Sequence, residues 1–76
     1  MTVKAYVLIK AHIGKTREVV ESMHKLRGVV SVDAVTGPYD AIAVIQAENM
    51  SDIGDLILAI VHAAVGISRT VTCIAV

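Results

Sequence analysis

Four residues concentrate the polar chemistry of this chain: Gly37, Pro38, Tyr39 and Asp40, set between two apolar runs. Gly37 and Pro38 form a turn on their own account, because one tolerates unusual backbone angles and the other presets its φ. Tyr39 and Asp40 add a hydroxyl and a carboxylate at the same reversal. A carboxylate accepts hydrogen bonds from an ammonium group, and converging N–H or hydroxyl donors hold a carboxylate. A free amino acid carries both groups a few ångströms apart. Asp40 suits its ammonium. The turn amides, with Thr70 or Thr72 from a neighbouring subunit, suit its carboxylate. Plain hairpin punctuation accounts for the same residues, and at this point both readings stand.

The other chemistry-bearing residues have simpler explanations. His12, His24 and His62 are far from any zinc spacing, and the chain has no Cys-x-x-Cys pair. They read as solvated histidines, with His62 placed to favour a helix C-terminus. The sequence therefore calls for no metal and no cofactor. Cys73 has no neighbouring base or helix N-terminus to activate it and is expected as a small core residue. A single cysteine also rules out an internal disulfide, which suits a reducing cytoplasm. Asp33 reads as a charge guarding an edge strand. Arg69, Thr70 and Thr72 fit a strand without needing a function.

The elements that hold these residues follow from periodicity. Residues 3–11 alternate as a strand. Val19, Val20, Met23 and Leu26 then recur at helical spacing, with Arg17, Glu18, Glu21 and Lys25 facing outward. Thr16 is expected as the N-cap of that helix and Gly28 as its left-handed stop. Strands are expected at 29–36 and 40–47. Asn49 or Ser51 caps a second helix whose stripe is Ile53, Leu56, Ile57, Ile60, Val61 and Ala64. Gly66 ends it, and 67–76 closes the chain as a strand. The order β-α-β-β-α-β predicts an α+β, ferredoxin-like domain: a four-stranded antiparallel sheet with both helices on one face.

Composition then bears on assembly. The chain of 76 residues is one domain, 1–76, and 55% of its residues are hydrophobic, with 13 Val, 9 Ile and neither Phe nor Trp. One small core cannot hide that much aliphatic surface, so burial between subunits is expected. The helices cover one face of the sheet. On the other, the alternation is expected to place Tyr6, Leu8, Val29, Val35, Ile42, Val44, Ile74 and Val76. At about 1.5–3 kcal/mol for each buried side chain, they outweigh an association cost of about 4–15 kcal/mol. The sheets are therefore expected to pair face to face, as in a dimeric α+β barrel.

Charge excludes several classes. Seven Lys plus Arg balance seven Asp plus Glu, and the cations are scattered, so direct nucleic-acid binding has no electrostatic support. No run is long enough to cross a bilayer, and no secretory signal is legible, so the expected location is cytoplasmic. A small α+β-barrel enzyme of the monooxygenase or isomerase type needs a His, Asp or Arg in a pocket between sheet and helices. Here the inward sets of the first three strands are Val, Ala and Ile. The chain is thus expected not to be an enzyme. A purely structural oligomerisation module remains open on composition alone.

The arrangement Gly-x-Tyr-Asp before an aliphatic strand, then a helix, Gly66-Ile67 and Arg69-Thr70-x-Thr72, resembles the effector-binding RAM domain of the Lrp/AsnC transcriptional regulators. The likeness runs from the Tyr6-Val7-Leu8-Ile9 strand to the C-terminus. Amino-acid-binding ACT domains share the element order, but the 37–40 turn fits the RAM pattern better. The resemblance implies a domain that dimerises through its sheets, with dimers assembling into an octamer or decamer ring. It implies an amino acid or related metabolite bound between dimers, with ligand roles for Gly37, Tyr39 and Asp40, and for Thr70 and Thr72. Full-length members carry an N-terminal helix-turn-helix. This sequence starts at the first strand, so it looks like a stand-alone RAM protein with full-length regulators as further partners. Pro38 departs from a fully amide-lined turn by removing one donor.

Overall fold

The computed structural model describes residues 2–76 of the chain, so the expected domain is seen from Thr2 onward. Its elements are β1 (Val3–Ala11), α1 (Thr16–His24), β2 (Val29–Ala34), β3 (Ala41–Ala47), α2 (Met50–Ala63) and β4 (Ile67–Ile74). The strands form one sheet in the order β2-β3-β1-β4, with every neighbouring pair antiparallel. That is the βαββαβ fold read from the sequence. The α1 crossover links β1 to β2, which run parallel with β3 between them, and α2 links β3 to β4 around β1.

The core lies between the sheet and the helices. Ala5, Val7 and Ile9 of β1 and Ala41, Ala43 and Ile45 of β3 are buried against Val19 and Met23 of α1 and Ile53 and Ile60 of α2. No polar side chain is buried with them among the described residues. Period-2 alternation in two central strands thus supplies one complete apolar layer, and the helical stripes supply the other.

The details that differ from expectation sit at element ends and at the sheet edges. Thr16 is the first residue of α1 and not its cap; Lys15 occupies the cap position without a side-chain hydrogen bond. The helix stops at His24, and the next turn tightens through Lys25 N–H to Ser22 C=O and Leu26 N–H to Met23 C=O. Gly28, at φ +89°, then turns the chain into β2. Asn49 caps α2, its side chain accepting from the Asp52 N–H at 2.9 Å, whereas Ser51 lies inside the helix.

One bulge and one strand register reassign the open face. A bulge in β2 between Val29 and Ser31 puts Val29 opposite Ile45 on the helix side and leaves Val30 as the extra residue, 58% exposed. In β4, Thr70 lies opposite Ile9, Thr72 opposite Val7 and Ile74 opposite Ala5, so all three face the helices. The open face instead carries Val71 and Cys73. Its rows are Cys73–Tyr6–Val44–Ser31 and Val71–Leu8–Ile42–Asp33. Cys73 is exposed, not a core residue. Val35 and Val76 fall outside the strands. Among the described residues, no helix is long and apolar enough to cross a membrane.

Candidate functional site

The β2–β3 turn is fastened to the end of β1 by Asp40. Its N–H donates to the Ile9 carbonyl at 2.8 Å, and its own carbonyl accepts from the Val35 N–H at 2.9 Å. The carboxylate reaches further: Oδ2 accepts from the Ala11 N–H at 2.8 Å. That donor needs a partner because the β1–β3 pairing ends at Ile9 opposite Ala41, which leaves the Ala11 N–H beyond the last pair. The Asp40 side chain therefore extends the β1–β3 ladder past its last pair. No hydrogen bond to its Oδ1 is present among the described residues.

The rest of the turn is open. Gly37 adopts φ +143°, and a Cβ added there would meet no atom within 4 Å. Tyr39 is half-buried, and its hydroxyl has no hydrogen-bond partner among the described residues. Lys10 extends its ammonium to the Pro38 carbonyl at 3.5 Å, the long limit of such a contact. The β1–α1 loop closes on the α2–β4 loop through His12 N–H to Gly66 C=O at 2.8 Å. These loops and the 35–40 turn share one end of the sheet.

Gly37, Tyr39 and Asp40 come together in this way. Thr70 and Thr72 do not join them within one chain. They are half-buried on the helix side of edge strand β4, with β1 between them and β3. At about 4.8 Å per strand, Thr70 is roughly 10 Å from Ala41 across the sheet. The contributions of Ile9 and Ala11 were not legible in the sequence, because they are backbone groups chosen by contacts with Asp40 across 31 and 29 residues. Among the described residues there is no enclosed pocket and no cluster of three or more His, Cys, Asp or Glu side chains.

The family model described as the Lrp/AsnC ligand binding domain matches residues 4–76. The chain belongs to that family. Its fold is therefore that of an effector-binding module of transcription regulators. A crystal structure of the Thermus thermophilus protein TTHA0845 is similar over 97% of this chain and 92% of its own, at 28% identity and a TM-score of 0.89. The hypothetical protein PHS023 from Pyrococcus horikoshii is 30% identical over 97% and 89% of the two chains, with a TM-score of 0.88. A Neisseria meningitidis transcriptional regulator crystallised as an L-Met complex shares the fold, with a TM-score of 0.83 at 18% identity. The chain covers 49% of that regulator. A search of curated proteins found no match.

Proposed function

We propose that this Lrp/AsnC-type domain is a non-enzymatic sensor of an amino acid or related metabolite, working as a homo-oligomer. The observation that carries the reading is Asp40: half-buried at an open turn, with one carboxylate oxygen spent on Ala11 and the other turned to no partner among the described residues. An oxygen held in that way accepts an ammonium group at little ordering cost. Gly37 and Tyr39 complete the near side of the site. Because Thr70 and Thr72 lie on the far edge, a neighbouring copy supplies the hydroxyls, and the site is finished only in the assembly. The L-Met complex of the Neisseria regulator supports the amino-acid class. Dimers form through the open sheet face, whose apolar centre is Tyr6, Leu8, Ile42, Val44 and Val71, and join into rings. Association with full-length family regulators then links effector binding to transcription, without a DNA contact by this domain.

Asp40 also has a structural duty at Ala11, which favours a purely structural module as the second reading. Asp40→Asn separates the two, because it keeps an oxygen acceptor and removes the charge. Calorimetric titration of the standard amino acids should give saturable heat with at least one of them, abolished by Asp40→Asn. Absence of heat for every amino acid with the assembled wild-type protein overturns the sensor reading.

A further inference from the structure

The open sheet face is polarised. Its cations, Lys4, Lys10 and Arg69, lie on β1 and β4, whereas its carboxylate, Asp33, lies on β2 at the opposite edge. Lys10 and Arg69 stand directly opposite each other in the β1–β4 register, an arrangement in which like charges repel. All three of Asp33, Lys10 and Arg69 are exposed, and among the described residues the ion pair formed is Lys15 with Glu18. No carboxylate among the described residues answers the two cations, and no cation answers Asp33.

With the strands of the two sheets aligned, a second copy can cover the face symmetrically in two ways, since a two-fold interface must pair residue i with j and j with i. An axis running across the strands lays β1 and β4 over their own copies with the ends reversed. Lys10 then comes over Lys4 with Arg69 beside it, and cations meet cations. An axis running along the strands lays β2 of each copy over β4 of the other. Asp33 then comes over the cationic corner. It sits in the row of Val71, and Arg69 is one row on, roughly 7 Å along the strand. The Arg side chain and the crossing of about 30° between packed sheets span that offset.

We propose that two copies pack with β2 over β4, and that Asp33 of each copy meets Arg69 and Lys10 of the other, setting the orientation and self-specificity of the dimer. This rests on the reading that a second copy covers the sheet face. The test uses Asp33→Lys and Arg69→Asp, alone and mixed, by analytical ultracentrifugation with one variant fluorescently labelled. Each variant alone should dimerise at least about tenfold more weakly than wild type, because Asp33→Lys sets a third cation against Arg69 and Lys10, and Arg69→Asp sets two carboxylates together with Lys10 as the one cation left. Mixed together, they should form a heterodimer with both pairs restored, at near wild-type strength. The wild-type dimer should also weaken as salt rises. Folding of each variant is checked by circular dichroism, and Asp33→Asn with Arg69→Gln gives a milder pair whose dimers should lose only the salt dependence. A wild-type dimer whose variants associate equally well, alone or mixed, overturns this inference and leaves the sheet dimer standing. A wild-type monomer overturns the sheet dimer itself.

Discussion

Asp40 joins two roles in one side chain, and its substitutions separate them. Asp40→Ala leaves the half-buried Ala11 N–H without an acceptor, so stability should fall by about 1–3 kcal/mol in urea denaturation. Asp40→Asn should stay within about 1 kcal/mol of wild type while losing effector heat. The glycines divide similarly. At Gly28 a Cβ would sit 2.7 Å from Leu56 Cδ2 and 3.2 Å from the Gln46 carbonyl, at φ +89°. Gly28→Ala should therefore cost about 1–3 kcal/mol or more, and clearly more than Gly37→Ala, which meets open space. Thermal unfolding of the two variants side by side checks the order.

Helix α2 shows what a local element contributes. Asn49 bonds the Asp52 N–H and satisfies one of the unpaired donors of the first turn. Asn49→Ala should lower stability by about 1 kcal/mol. Gly54 lies inside the same helix with nothing within 4 Å of an added Cβ, so Gly54→Ala should raise stability by about 0.5–1 kcal/mol. Paired melting curves test both signs at once. The strands behave differently. In β2 and β4 the residue types alone did not say which set faces the helices. One bulge turned Val29 inward, and the β1–β4 pairing did the same for Ile74.

At the scale of the molecule, the open face decides assembly. Leu8 and Ile42 sit at its centre, paired across β1 and β3. Leu8→Lys or Ile42→Lys should convert an oligomer into a folded monomer, seen as a drop in sedimentation coefficient with an unchanged circular dichroism spectrum. An effector that binds only the native assembly should stabilise it by about 2.7 kcal/mol at a hundred times its Kd, a shift readable in the melting temperature. Monomeric variants should lose that shift, because Thr70 and Thr72 are beyond reach of the turn within one chain.

The element order, the aliphatic layer of β1 and β3 and the Gly37-Pro38-Tyr39-Asp40 turn were determined by the sequence alone. Each depends on periodicity or turn chemistry, which a chain expresses within a few residues of itself. Tertiary structure decided the rest: the β4 residues that face solvent, the bulge at Val30, the tie from Asp40 to Ala11 and the separation of the threonines from the turn. These are relations between distant segments. Strand side chains repeat every two residues, so a one-residue change in pairing moves a whole set to the other face, and only the assembled sheet fixes which pairing is made.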